Sequence, residues 1–177
     1  ADPLLEMEIL GTKNNGIAGG MFGNARGYDH SGIDLACPVG TPVYATFGGT
    51  VEYVRDDVPS GFKSFSAYHN SGGWHSKEAF NAGNAIYIST VLNGKEYHLC
   101  YWHLDKIYVT KDQKVLPGQL IGTSGISGNA SFDSCAGAHL HYGIRYFNDK
   151  GEIIYVDPKE FLFAEFNNFG KNINDCD

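Results

Sequence analysis

Positive charge is scarce in this sequence: Lys and Arg number 13 against 20 Asp and Glu, a formal net charge of −7 over 177 residues. The basic residues are spread thinly, and no cluster of them could neutralise a run of phosphates, so nucleic acid is not an expected partner. An anionic membrane surface is excluded on the same ground. Long apolar runs are missing as well, since no stretch approaches the roughly 20 residues that span a bilayer. No charged-then-apolar leader opens the chain at Ala1, a start that fits either a mature form or a cytosolic protein. The four cysteines, Cys37, Cys100, Cys135 and Cys176, include no C-x-x-C pair, which argues against a structural zinc knuckle or a thioredoxin-like site. Their even number leads us to expect at least one disulfide, with no partners assigned.

What the sequence does hold is aromatic and glycine: 11 Tyr, 11 Phe and 23 Gly, with 42% hydrophobic and 19% charged residues. That mixture reads as a globular, mainly all-β domain of short strands and tight turns. The stretch up to Gly27 is rich in Gly and Asn and reads as loop. Pro42–Thr46 and Thr50–Val54 are β-prone runs joined by Phe47-Gly48-Gly49, a hairpin signal. Asp56 to Gly83 is long, polar and punctuated by glycine, and reads as an extended loop. "AIYISTVLNGKEYHLCYWHL" is strand, Asn93-Gly94 turn, strand. "HLHYGIRYFNDKGEIIYV" repeats the arrangement with a turn at Asn148–Gly151. A short helix follows near the C-terminus, where Asp157 is the N-cap, Pro158 the first helical residue and Glu160 the acidic residue at N3. The expected organisation is an N-terminal loop segment over 1–27, one domain over 28–166 with an insertion at 56–83, and a tail over 167–177.

Three histidine-bearing segments carry the chemistry. In His30-Ser31-Gly32-Ile33-Asp34, a fully extended chain would hold the first and last Cα about 13 Å apart. Both side chains reach one metal only if the chain bends, which Gly32 makes cheap. In His139-Leu140-His141, the two imidazoles point to one face of a strand roughly 6.6 Å apart, as a shared metal site needs. An exposed pair on an edge strand would show the same spacing. In Tyr101-Trp102-His103, strand alternation puts Tyr101 and His103 on one face, with Cys100 and Trp102 on the other. Each segment alone is weak, a lone strand histidine being more often a packing residue than a catalyst.

Together, in order, they resemble the lysostaphin/LytM family of zinc endopeptidases. The H-x-G-x-D pattern is met by His30–Asp34, and the G-T-P-V-Y-A stretch by Gly40–Ala45. The Y-x-H-L pattern is met by Tyr101–Leu104. V-x-x-G-x-x-I-G-x-x-G is met by Val115, Gly118, Ile121, Gly122 and Gly125, and H-L-H-aromatic by His139–Tyr142. The agreement runs from about Phe22 to Leu162. Departures occur too: Ser127–Ala138 is longer than usual and holds Cys135, Ala138 replaces a common Pro, Gly143 replaces a common acidic residue, and the 56–83 insertion is long. These bear on substrate preference and leave the ligand positions intact.

The resemblance implies two antiparallel sheets forming a groove, with one Zn2+ per chain held by His30, Asp34 and His141. Two imidazoles and a carboxylate leave a coordination position open for catalysis. His103 and His139 would stand beside the metal, unligated, one taking a proton from water and the other supporting the oxyanion. The reading gives the proton to His139 and the oxyanion to His103, although the motif leaves the two roles exchangeable. Asn24 matches a region that can supply an inhibitory fourth ligand, the alternative being an ordinary turn residue. The resemblance further implies hydrolysis of peptide bonds in peptidoglycan, and a secreted, periplasmic or cell-wall-associated protein. Aromatics of the 56–83 segment would form a wall of the groove. His69 and His75 read as loop residues, with a second metal there the lesser alternative, and His98 has no assigned role. The competing reading is a LytM-like module without catalysis that acts on a partner cell-wall hydrolase.

Overall fold

The computed structural model describes residues 1–10, 20–23, 29–132 and 138–165. In chain order the elements are β1 (Ile33–Ala36), β2 (Pro42–Tyr44), β3 (Gly49–Arg55), α1 (Phe65–Asn70), α2 (Lys77–Ala82), β4 (Ala85–Leu92), β5 (Lys95–Trp102), β6 (Leu104–Ile107), β7 (Lys114–Val115), β8 (Leu120–Ser124), β9 (His139–Phe147) and β10 (Ile153–Val156). Short 3-10 helices lie at Gly128–Phe132 and Pro158–Phe161. The larger sheet runs β1-β9-β5-β4-β3-β7, with β10 also on β9, and the smaller runs β2-β8-β6. All pairings are antiparallel, as expected for a mainly β fold of two sheets.

Alternation along the strands decides what is buried. One face of the large sheet carries Ile33, Leu35, Val51, Ile86, Ile88, Leu99, Tyr101, Leu140, Tyr142 and Ile144, all fully buried in one cluster with Val43, Ala45, Leu104 and Ile121. Removing each Leu or Ile side chain from water contributes about 1.5–3 kcal/mol. The two buried phenols are not left unsatisfied: Tyr101 accepts from the Thr46 amide at 3.0 Å, and the Tyr142 hydroxyl meets the Thr46 hydroxyl. With this face buried, the opposite face of the sheet is free to be the floor of a site.

Two expected turns are present. Asn93 and Gly94 have φ of 51° and 77°, the pair of positive values a two-residue hairpin requires. At the β9–β10 turn, the Asn148 side-chain oxygen accepts from the Lys150 and Glu152 amides at 3.0 and 2.9 Å. The C-terminal helix is the 3-10 turn at Pro158–Phe161, where Asp157 accepts from the Lys159 amide at 3.0 Å.

Three expectations are corrected. Pro42–Thr46 and Thr50–Val54 do not form a hairpin: β2 pairs with β8 in the small sheet, while β3 pairs with β4 and β7 in the large one. Phe47-Gly48-Gly49 is therefore a crossing between sheets, because a short glycine link sets reach but not partner. The 56–83 segment is not an extended loop. Ser64 and Ser76 each cap a helix by accepting an amide hydrogen bond three residues on, from Ala67 at 3.0 Å and Ala79 at 3.2 Å, which satisfies helix-start donors. Val58, Tyr68 and Phe80 form a second small core with Phe62, Phe65 and Phe132, so these aromatics pack on one another, while Trp74 of the same segment is exposed.

The N-terminal stretch is also more than loop. Leu4, Ile9 and Leu10 are buried, the first two in the main core. The Leu10 amide donates to the Asp34 carbonyl at 2.9 Å, and the Asp34 amide to the Gly20 carbonyl at 2.8 Å. Cys37 and Cys100 are buried and free, and Cys135 and Cys176 lie outside the described residues.

Candidate metal centre

The β1–β9 register sets Asp34 opposite His141 and Ala36 opposite His139. Both histidines lie on the sheet face turned away from the core, as their i, i+2 spacing requires. His30 enters from just before β1, where its backbone exchanges hydrogen bonds of 2.9 and 3.0 Å with Gly23. Gly32 makes the approach possible through space rather than through an unusual dihedral. A Cβ there would fall 2.4 Å from the Tyr142 carbonyl oxygen and 2.7 Å from His141 Nε2.

The donors converge on one carboxylate oxygen. Asp34 Oδ1 lies 3.0 Å from His141 Nδ1, 3.2 Å from His30 Nε2 and 3.4 Å from His139 Nε2. One ligand atom from each of His30, Asp34 and His141 lies within 4.8 Å of the others, and all three residues are buried. Tetrahedral zinc ligands stand about 2.0–2.2 Å from the ion and hence roughly 3.3–3.5 Å apart, so the spacing fits. The tautomers fit as well. His30 Nδ1 faces the Met21 carbonyl oxygen at 2.8 Å; a carbonyl can only accept, so the proton sits there and Nε2 is bare for a metal. Trp102 stacks on His141 at 4.2 Å and 12°, which fixes the plane of that imidazole.

His103 departs from the alternation expected of it. β5 ends at Trp102, and His103 takes φ 63°, a left-handed conformation that turns its side chain off Tyr101's face. Its ring comes 4.7 Å from that of His139 and 6.3 Å from that of His141. Ala82 of the 56–83 insertion, with Asn84 and Ser127 outside it, holds the kink. The His103 amide donates to the Ala82 carbonyl, and that of Leu104 to the Asn84 carbonyl, both at 3.0 Å. His103 Nδ1 faces the Ser127 carbonyl oxygen at 2.8 Å. Ser127 Oγ donates to the Leu104 carbonyl at 2.8 Å and accepts from the Asn84 amide at 2.9 Å.

Charge is tightly held in this cluster. Burial would raise Asp34, but the histidines gathered around it, His139, His141 and His30, hold its carboxyl well below the usual carboxylate range. Burial pushes His141 down to about 4, against the hydrogen bond it donates to Asp34. Burial also pushes His103 well below the ordinary histidine value, with His139 and His141 adding to it. A neutral His141 beside an ionised Asp34 is the protonation state a divalent cation needs.

The structure thus brings His30, Asp34, His103, His139 and His141 together, and Asn24 lies outside the described residues. Sequence reasoning missed Trp102 and Ser127. Trp102 was legible as sharing the face of Cys100, but which face held the site was not. Ser127 acts through its backbone, which residue type does not reveal. Outside the centre, His75 Nε2 meets Asp57 at 2.8 Å, and among the described residues neither His69 nor His75 joins a metal-capable group.

The model of peptidase family M23 matches residues 28–158. Peptidoglycan DD-endopeptidase ShyA of Vibrio cholerae is 36% identical over 113 residues, 64% of this chain and 19% of that protein. Peptidoglycan DD-endopeptidase ShyB of the same organism is 34% identical over 128 residues, 72% of this chain and 23% of that protein. The match therefore spans about a fifth of the length of these relatives. The catalytic domain of the antimicrobial peptidase lysostaphin from Staphylococcus simulans superposes with a TM-score of 0.52 at 23% identity, covering 90% of each chain, a likeness of fold.

Proposed function

The chain belongs to peptidase family M23, and from that premise we propose that it is a zinc-dependent endopeptidase hydrolysing peptide bonds in peptidoglycan cross-links or stem peptides. One observation carries the reading: His30 Nε2, Asp34 Oδ1 and His141 Nδ1 converge in a buried cluster with a third and a fourth histidine, His139 and His103, beside it. The first three would hold one Zn2+. Bound zinc would supply Lewis acidity and a water acidified to a pKa of about 7.

The remaining work falls to side chains of this chain. With its Nδ1 proton donated to Ser127, neutral His103 presents a bare Nε2, which accepts a proton and donates one only after it has been charged. That tautomer suits His103 to taking a proton from the nucleophile and returning it to the leaving amine. His139, across a 4.7 Å ring separation, is then placed to donate to the developing oxyanion, the second of the two arrangements the motif leaves open. The burial of the cluster strengthens each of these contacts by excluding water. A substrate in the cell wall implies action outside the cytoplasm, in a secreted, periplasmic or wall-associated protein.

The competing reading, a module without catalysis, is disfavoured because ligands and flanking histidines are all present and buried. Metal analysis alongside digestion of purified peptidoglycan, with and without chelator, tests the proposal. Stoichiometric zinc with chelator-sensitive peptide release is expected; stoichiometric zinc with no release from any wall type would turn the assignment to the non-catalytic module.

A further inference from the structure

The sheet face that holds the metal centre continues beyond it as a floor, and its composition is unusual for so acidic a chain. Arg55 pairs with Ala85, and Trp102 with His141, across neighbouring strands. With Ile86 opposite Tyr101, these place Arg55, Ala85, Trp102, His141 and Asp34 in one row across the sheet. Arg145 lies four residues along β9 from His141 on the same face, about 13 Å away. The two arginines flank a pair of tyrosines. The Arg145 guanidinium sits 4.8 Å over the Tyr87 ring and that of Arg55 5.7 Å over the Tyr53 ring, while the tyrosines meet edge-on at 5.8 Å. Tyr87 is tied to the metal centre, since the Trp102 indole donates to its hydroxyl at 3.0 Å and stacks on His141.

Neither arginine is neutralised. The ion pairs among the described residues involve histidines or Lys159 and include neither Arg55 nor Arg145. Arg55 is 7% exposed and spends Nε on the Gly83 carbonyl at 2.9 Å, leaving one terminal nitrogen buried with no partner. Arg145 is partly buried, and its Nε is likewise buried and unpartnered. Arg145 also donates to the Tyr155 hydroxyl and lies 5.9 Å from the Phe147 ring, both uncharged, and its cross-strand partner is His98. Of the carboxylates on this face, Asp34 belongs to the metal centre, and Glu52 and Glu96 turn to His98 at 3.2 and 3.5 Å. Buried charged donors without an acceptor carry a desolvation cost.

We propose that Arg145, backed by Arg55 across Tyr87, is a subsite for a carboxylate of the peptide substrate. A guanidinium edge matches the two oxygens of a carboxylate. Tyr87 and Tyr53 supply flat apolar surface for the chain that bears it. A peptide extended along β9 with its scissile bond at the metal centre reaches Arg145 about four residues on, at roughly 3.3 Å per residue. The subsite rests on the endopeptidase reading and adds to it a requirement for negative charge at a set distance from the cut.

The test uses zinc-loaded protein and three versions of one cross-linked stem peptide: all carboxylates free, the C-terminal carboxylate amidated, and the side-chain carboxylates amidated. For the wild type, kcat/KM is expected to fall about tenfold, mainly through KM, on one of the two amidated forms, which identifies the source of the carboxylate. Arg145→Gln should lose the same factor on the free peptide and nothing further on that amidated form, with Arg145→Lys intermediate and zinc content unchanged. Equal treatment of all three peptides by the wild type, which needs no variant to fold, overturns the subsite, as does a preference retained in Arg145→Gln. If the wild type cleaves none of them, only the hydrolase reading falls. Calorimetric binding then decides the subsite: tighter binding of the free peptide sustains it, and equal binding overturns it.

Discussion

His103 Nδ1 and the main-chain carbonyl oxygen of Ser127 stand 2.8 Å apart, and this contact determines which edge of the imidazole faces the metal centre. Ser127 is itself pinned by its hydroxyl between Leu104 and Asn84. Replacing Ser127 by Ala removes both of those bonds while keeping the carbonyl. Steady-state kinetics should show kcat lowered roughly 10- to 100-fold, the range for loss of an orienting contact, with KM and zinc content near wild type. Unchanged kcat would mean that the contacts to Ala82 and Asn84 hold His103 without Ser127.

Loss of a ligand and loss of a proton-transfer group should separate cleanly. His141→Ala is expected to abolish both zinc retention and cleavage, because its Nδ1 is one of three convergent donors. His103→Ala should abolish cleavage and spare zinc. Metal analysis of the two purified variants decides the matter: zinc lost from His103→Ala, or kept by His141→Ala at the wild-type level, contradicts the ligand set.

Gly32 is required by contact. A methyl group there meets the Tyr142 carbonyl and His141 Nε2, so Gly32→Ala must displace β9 or rotate a ligand. We expect destabilisation of about 1–3 kcal/mol together with weakened zinc binding, seen as a lower Tm and faster zinc loss to a chelator. A variant with wild-type Tm and zinc retention would show that β9 yields freely.

Acid should destabilise the metal-stripped protein before any ordinary carboxylate titrates. Burial pushes His141 from 6.5 to about 4, and His103 is pushed down in the same direction. Between those values and 6.5 the unfolded chain binds more protons than the folded one. Stability is therefore complete above about pH 6.5 and is lost as pH falls toward 4, His141 alone accounting for on the order of 3 kcal/mol. Asp34, held low, adds its own loss below about pH 4. Thermal melts of chelator-treated protein from about pH 7 to 4.5 should show a falling Tm, and a flat profile would contradict the burial argument.

The mainly β character was legible in the sequence from local pattern, and the residues proposed as metal ligands were named by the family resemblance. Two histidines at i, i+2 share a face on any strand, and Asn93-Gly94 supplies two positive φ values wherever it folds. The ordered set of motifs then singled out His30, Asp34 and His141 with no distance known. Pairing partners were not legible, because Phe47-Gly48-Gly49 has the same chemistry whether it turns a hairpin or crosses between sheets. The helices of the 56–83 segment are each six residues long, too short to show periodicity and dependent on the Tyr68–Phe80 stack for support.

What the sequence by itself determined is the inventory of donors and the faces of regular strands, both properties of residue type and spacing. Tertiary structure alone decided the rest. The left-handed turn at His103 overrides strand alternation because Ala82, Asn84 and Ser127 hold it. The tautomers of His30 and His103 follow from backbone carbonyls at Met21 and Ser127. The two unneutralised arginines come together at Tyr87 from strands 90 residues apart in sequence (145 − 55). Each depends on which atoms meet across the fold, and the chain closes those contacts only when the buried face of the large sheet leaves water and fixes the register.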